Sequence, residues 1–314
     1  MSAPASVEDL GAKLGAVVVN YEAGAALIAC VASLREGGLE DIVVADNASK
    51  DGSLVALAEA DPRIGIVPLG TNLGYGRAAN AGARRLSKPY LLICNPDLVF
   101  APDAPTRLVS VLEAFPEAAV VGPRLVGLDG KHYPSARAFP SYGLAVAHGV
   151  ASLIAPDNPF SRRYRREREA IEAAEVDWVS GACLALRADA FFSVGGFDER
   201  YFMYVEDLDL CWRLRRAGWS VRYEPAAVVV HEQGRSAARH PYRMLVAHHR
   251  STWRFARRRV QGPARAALPL IGLGIGLRLG ACLAQELARR VSMTKASQPA
   301  GGARDENRAG RGLD

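Results

Sequence analysis

The stretch LGAVVVNYEAGAALIACVASLREGGLEDIVVADNASKDGS, residues 14–53, decides the fold. It opens on a β-branched run, LGAVVVN (14–20), whose length and unbroken apolar character suit a strand buried on both faces. A helix-compatible stretch follows, AALIACVASLREGG, closed by Gly37 and Gly38, where a helix end favours residues that tolerate left-handed backbone. The run DIVVAD (41–46) then repeats the first. Further along, IGIVP (64–68) and YLLIC (90–94) do so again. Between them lie SLVALAEADP, stopped by Pro62, and GRAANAGARRLS. Strand and helix alternating in this way predict βαβ units, and hence an α/β fold with a doubly wound, mostly parallel sheet.

The second half is less regular. AVVG (119–122), VDWVSGACLALR (176–187) and VRYEPAAVVVH (221–231) predict further strands. Residues 206–217 predict a helix, because Leu208, Cys211, Trp212 and Arg215 share one face and Asp209 stands four residues before Arg213. The arginine-rich FSRRYRREREA (160–170) is expected to be exposed and mobile.

With 314 residues, 49% of them hydrophobic and 23% charged, the chain can build one large domain and an appendage. Its five cysteines are widely spaced and form no CxxC pair, which argues against a zinc site or disulfide framework and for buried thiols in a reducing compartment. The start, MSAPASVEDLGAKLG, has no apolar core of signal-peptide length, so a cytoplasmic location is expected. The net charge of +6 is unevenly placed. Residues 243–314 hold fourteen Arg or Lys against four Asp or Glu, leaving 25 against 29 for residues 1–242. A net-negative body argues against a nucleic-acid partner, and a basic tail suits an anionic membrane surface. Within that tail AALPLIGLGIGL (266–277) runs uncharged for twelve residues, short of the roughly 20 that span a bilayer. An interfacial or re-entrant segment, or a helix packed on the body, is expected. The division read from sequence is a flexible N-terminus (1–13), an α/β domain (14–242), a basic and apolar helical extension that associates with membrane (243–294), and a disordered tail (295–314).

Ligands of open parallel sheets bind at the carboxyl ends of strands. Here those ends carry Asn20-Tyr21, the run from Asp46-Asn47 to Asp51-Gly52-Ser53, Asn72-Leu73-Gly74 and Asn95-Pro96-Asp97. Turns alone favour Asn, Asp and Gly, but four such clusters on successive strands point to a binding site. A fifth cluster of acids, Glu206, Asp207 and Asp209, follows the bulky run Tyr201 to Tyr204.

In order along the chain, VVVNY, VVADNASKDGS, NLGYGRAANAG, ICNPD, WVSGACLALR, GGFDERYFMYVEDLDLCWRLRRAGW and HEQGRS resemble the family 2 glycosyltransferases of GT-A fold, in particular the rhamnosyltransferase-like subgroup. The resemblance covers about residues 14–240. It implies a nucleotide-sugar donor, a divalent cation (Mg2+ or Mn2+) and transfer with inversion to a hydroxyl of a lipid-linked or polysaccharide acceptor at the cytoplasmic membrane face. The donor site would comprise Asn20, Tyr21, Asp46, Asn47, Asn72, Gly74, Arg77, Asn80, Asn95 and Asp97. Tyr21 would stack on the base, Asp46 accept from a pyrimidine N3–H, and Arg77 balance diphosphate charge, with Gly74 and Gly76 allowing close backbone approach. Asn95-Pro96-Asp97 stands where the family usually has Asp-x-Asp, so Asp97 is the expected metal ligand, with His231 either a second ligand or structural. The resemblance assigns the base to Asp207, with Glu206 orienting the acceptor or tuning Asp207, and places Trp178, Ser180, Gly181 and Tyr204 beside the acceptor. Asp209 is expected to be structural, paired with Arg213, and Asp51 to cap the helix starting near Ser53. The subgroup implies rhamnose from a dTDP donor, with UDP-sugars and GDP-mannose still open. A sugar-nucleotide nucleotidyltransferase is one alternative, but it needs a basic Gly-rich loop after the first strand, and VVVNYEAGAAL supplies none; a non-catalytic nucleic-acid-binding protein using the basic tail is the other, and the net-negative body argues against it.

Overall fold

The computed structural model describes residues 7–137, 139, 158–159, 172–232 and 241–296. The stretch 160–170 and most of the expected tail, from residue 297, lie outside the described residues, as do residues 233–240 with most of HEQGRS.

Twelve strands occur among the described residues: β1 (Leu14–Asn20), β2 (Asp41–Asp46), β3 (Gly65–Pro68), β4 (Tyr90–Cys94), β5 (Leu98–Phe100), β6 (Ala118–Val126), β7 (His132–Tyr133), β8 (Ala136–Arg137), β9 (Ala174–Glu175), β10 (Trp178–Val179), β11 (Cys183–Arg187) and β12 (Ser220–His231). The main sheet runs β3-β2-β1-β4-β11-β6-β12-β5. β1 pairs in parallel with both β2 and β4, and β2 with β3. β11 is antiparallel to β4 and β6, and β5 antiparallel to β12, so the sheet is mostly parallel with two reversed strands.

The burial of β1 on both faces explains its apolar run: Ala16 and Val18 join one core, Val17 and Val19 the other. Helices α1 (Val7–Lys13), α2 (Ala25–Glu36), α3 (Ser53–Ala60) and α5 (Ala104–Ala114) belong to the first face, through residues such as Leu10, Leu27, Leu57 and Leu108. Helices α4 (Tyr75–Ala83), α6 (Ala188–Ser193) and α7 (Glu206–Arg216) cover the second, through Ala79, Phe191 and Leu210.

Four expectations need correction. The N-terminus is not flexible throughout: Val7–Lys13 is helical, and Leu10 is fully buried. The strand expected over 176–187 is broken at Ser180-Gly181-Ala182. β10 pairs with β8 in a separate two-stranded sheet while β11 enters the main one. The body also extends beyond residue 242. Helix α8 (Pro241–Arg259) packs on it by burying Ser251 and Phe255, the Phe255 ring meeting Trp212 edge-on at 6.0 Å. Arg258 donates to Asp198 at 2.7 Å and to Asp209 at 3.1 Å, so part of the basic tail is tied to the domain. Finally, after a 3-10 turn (Gly262–Ala267), helix α9 runs unbroken over Leu268–Ala296. Pro269 sits in its first turn, where a missing N–H costs nothing, so it starts the helix rather than ending it. Within the segment Gly262–Arg290 the most apolar 18-residue window has a mean hydropathy of 1.8; the segment is long and apolar enough to cross a membrane, and none of that window is buried.

Candidate active site

β1 and β2 end side by side, with Asn20 opposite Asp46. The Asn20 amide donates to Asp46 Oδ1 at 2.8 Å, and Ser49 donates to the same carboxylate from its hydroxyl (2.6 Å) and its amide (3.0 Å). Both oxygens of the buried Asp46 are therefore engaged within the loop, which narrows its expected role as an acceptor for a base. Tyr21 stands half-buried beside this cluster. Asp51 accepts from the Ser53 amide (3.1 Å) and hydroxyl (2.6 Å), so it fastens the start of α3 as expected.

Asn47 and Asn72 organise the loop before α4: Asn47 Oδ1 accepts from the Leu73 amide at 3.0 Å, and Asn72 Oδ1 from the Gly74 amide at 3.1 Å. Gly74 has φ of 91°, and a Cβ there would lie 2.0 Å from the Phe202 carbonyl oxygen. The close approach expected of Gly74 thus serves the 201–204 loop, not a ligand, and Gly76 likewise accommodates the Phe197 side chain. Arg77 and Asn80 also face elsewhere. Arg77 donates to the Glu199 carbonyl at 3.0 Å, and Asn80 exchanges hydrogen bonds of 2.9 Å with the Phe197 main chain in both directions. Asn80 clamps the turn between α6 and α7 with both of its amide atoms, whereas Arg77 spends only its Nε there and keeps its side chain 45% exposed.

Asn95 and Asp97 follow β4, and His231 ends β12. His231 Nε2 lies 3.3 Å from Asp97 Oδ1, within ion-pair reach. Asp97 Oδ1 is buried and accepts no hydrogen bond, which is the state of an oxygen reserved for a ligand. Among the described residues no third His, Cys, Asp or Glu joins them. Two protein ligands fit Mg2+ or Mn2+ that completes its shell with diphosphate and water.

The acids of α7 stand beside the turn that splits the 176–187 segment. Asp207 Oδ2 accepts from the Gly181 amide at 2.8 Å and Oδ1 from the Leu208 amide at 2.8 Å. A Cβ on Gly181 would press on the Asp207 side chain at 3.0 Å. Ser180 and Trp178 are buried next to it, with Arg137 lying 5.0 Å over the Trp178 ring. Burial raises the Asp207 carboxyl above its ordinary range, although the two amides and the charge of Arg137 oppose the shift. Glu206, only 7% exposed, is raised to about 8, first by burial and then by the charge of Asp207. Its Oε2 has no partner. Asp209 is fully buried and bound by Arg213 at 2.7 Å, the expected structural pair.

Three features were not read from the sequence. Tyr75 donates to the Gly181 carbonyl at 2.6 Å and links α4 to the Asp207 turn. Arg137 supplies the positive charge nearest in effect to Asp207. Backbone strain marks the same region: among the described residues, Glu22, Ala48, Tyr204 and Val205 are the non-glycine residues with positive φ. The φ of 69° at the β-branched Val205, directly before Glu206, is costly, of order 1–3 kcal/mol, and such strain gathers at functional sites. Tyr204, expected near the acceptor, is half-buried with its ring edge-on to His248 at 5.6 Å.

Of the eight buried side-chain polar atoms without a hydrogen-bond partner among the described residues, four belong to this region: Asn20 Oδ1, Asp97 Oδ1, His231 Nδ1 and Glu206 Oε2. The arrangement leaves polar atoms free for a ligand at the strand ends and at the acid pair.

The family model for glycosyl transferase family 2 matches residues 16–192, ending short of the acid pair. Over 268 residues the chain is 38% identical to N-acetylglucosaminyl-diphospho-decaprenol L-rhamnosyltransferase of Mycobacterium tuberculosis, covering 81% of this chain and 87% of that protein. It is 31% identical over 180 residues to rhamnosyltransferase WbbL of Escherichia coli, covering 54% of this chain and 63% of the other. Among solved structures, mannosyltransferase PcManGT from Pyrobaculum calidifontis, in complex with GDP-Man and Mn2+, superposes with a TM-score of 0.54 at 18% identity. It covers 91% of this chain and 79% of its own. S. aureus TarS 1-349 with UDP gives 0.53 at 14%, covering 77% and 64%. Both likenesses establish the shared fold.

Proposed function

The chain belongs to glycosyl transferase family 2, and from that premise we propose that it transfers L-rhamnose from dTDP-rhamnose to a hydroxyl of a lipid-linked sugar acceptor, with inversion at the anomeric carbon. One observation carries the reading: unpartnered buried polar atoms gather at the strand ends and at the acid pair, where donor and acceptor must meet. The 38% identity to an enzyme named for a diphospho-decaprenol acceptor supports the choice of sugar and acceptor class.

In this reading Asp207 is the base. Its oxygens are oriented by the Gly181 and Leu208 amides, which leave lone pairs for the acceptor O–H. The proton passes to Asp207, the acceptor oxygen forms a bond to the anomeric carbon, and the bond to the nucleoside diphosphate breaks, its electron pair leaving with the diphosphate. Glu206, held neutral by burial at pH 7, avoids like-charge crowding of Asp207 and can donate to the acceptor. Trp178 gives the acceptor side an apolar wall. A divalent cation held by Asp97 and His231 would offset charge on the departing diphosphate. The unburied α9 beside the basic α8 suits attachment at the cytoplasmic membrane surface.

The test is transfer from a panel of nucleotide sugars to prenyl-diphosphate-linked N-acetylglucosamine, with and without EDTA, and NMR of the product anomer. Transfer from dTDP-rhamnose with inverted configuration is expected. A retained configuration would overturn the mechanism, and preference for another sugar would overturn the donor.

A further inference from the structure

A half-open cavity of about 510 Å³ lies against helix α8 and the 3-10 turn, with Arg200 also in its wall. Trp253 and six arginines line it. Two of these are paired: Arg200 and Arg258 both reach Asp198, and Arg258 also reaches Asp209. The other four, Arg250, Arg254, Arg257 and Arg265, have no acidic partner among the described residues. Six guanidinium groups thus line one cavity, and only two of them meet a carboxylate. A concave site so charged is stabilised by an anion, and guanidinium forks match phosphate oxygens in bidentate fashion. The volume admits a single small group and not a polymer.

The surroundings narrow the ligand. On one side the cavity is tied by hydrogen bonds to the chain before α7 and to α7 itself, the helix that carries the acid pair. Arg254 donates to the Arg200 carbonyl, and Arg258 to Asp209, which shares α7 with Asp207. On the other side α9 begins at Leu268, just after Arg265, and presents Leu270, Leu273 and Leu277 at 72%, 59% and 68% exposure. A ligand lying along this path would have an apolar tail, an anionic joint and a polar head.

We propose that this cavity binds the diphosphate of a prenyl-diphosphate-linked acceptor, holding the carrier while its sugar reaches Glu206 and Asp207. The assignment rests on the acceptor class proposed above and adds the site that recognises it. It is separate from the strand-end site for the donor.

The test compares the full chain with the R250Q/R257Q/R265Q variant, whose altered arginines hold no ion pair of the fold. Calorimetry in excess dTDP, which occupies the donor site, measures binding of farnesyl diphosphate, farnesol and inorganic pyrophosphate. Sedimentation with phosphatidylglycerol vesicles measures membrane charge attraction, and dTDP affinity checks the fold. Farnesyl diphosphate should bind the parent protein more tightly than either farnesol or pyrophosphate, and at least tenfold more weakly to the variant. Equal binding of farnesyl diphosphate to both proteins would overturn the proposal. Pyrophosphate binding as tight as farnesyl diphosphate would make the cavity a general anion site. A variant that loses only vesicle binding would make it a patch for bulk anionic lipid. Either of these last two results also overturns it. Absence of sugar transfer with farnesyl diphosphate binding intact would instead count against the proposed reaction, not against the cavity.

Discussion

Replacing Glu206 by Gln should make the protein more stable at alkaline pH and change little in acid. The side chain is buried, and its folded pKa stands at about 8 against 4.5 for the free group. A raised carboxyl pKa means that the unfolded chain releases its proton first, between the two values. In that window the unfolded state binds fewer protons, so stability falls as pH rises. The span of about 3.5 units, at about 1.4 kcal/mol each, caps the loss at about 5 kcal/mol above pH 8, and makes it negligible below pH 4. Gln keeps the shape of the neutral acid and cannot ionise. The E206Q and parent proteins should therefore melt together near pH 4 and separate progressively toward pH 9. At ~2–4 °C per kcal/mol, the gap would reach on the order of 10 °C. Differential scanning calorimetry in EDTA across pH 4–9 reads this directly. Parallel melting curves, or a gap that closes with rising pH, would refute the claim that Glu206 is held neutral by its surroundings.

Four further outcomes are expected. Asp207→Asn keeps a carbonyl oxygen for the Gly181 amide but loses the base. Turnover should drop by about 10²–10⁴-fold with donor affinity within threefold, measured by product mass and calorimetry. Asp97→Ala should weaken dTDP binding in Mn2+ and leave the weaker binding seen in EDTA unchanged, because only the cation's share is lost. Gly74→Ala forces a left-handed φ on a residue with a Cβ and drives that atom into the Phe202 carbonyl. A cost of ~2 kcal/mol or more should appear as a lower midpoint in urea. Truncation after Gln261 should abolish vesicle binding while leaving dTDP affinity intact. A cut after residue 242 is a poorer test, since it also strips Phe255 from Trp212 and Arg258 from Asp209.

What could be read from the sequence follows the range of the interactions involved. β1, β2 and β4 are legible because burial on both faces demands unbroken apolar runs, and their polar ends announce a site at the carboxyl edge. The Asp209–Arg213 pair is legible because helical spacing alone brings the two together. Arg77 and Asn80 lie on an equally legible helix, yet their partners, Glu199 and Phe197, are more than a hundred residues away and decide which way they face. The same limit hid Tyr75, whose hydroxyl meets Gly181, and the role of α8, whose arginines look like a loose basic tail until Asp198 and Asp209 are placed beneath Arg258.

This last point bears on how the molecule works. Arg258 couples α8, which packs against α9, to α7, and α7 carries the acid pair at its first turn. The loop leading into α7 is held from both sides. Ser251 donates to the Met203 carbonyl from α8, and the Tyr75 amide donates to the Phe202 carbonyl from α4. Tyr204 and Val205 pass through left-handed backbone under that double hold, and so aim Glu206 and Asp207. Strain of this kind persists only where neighbours over-determine it. Loosening α8 should therefore relax residues 204–205 and displace the carboxylates, while the polar cluster at the ends of β1 and β2, held by its own hydrogen bonds, stays in place.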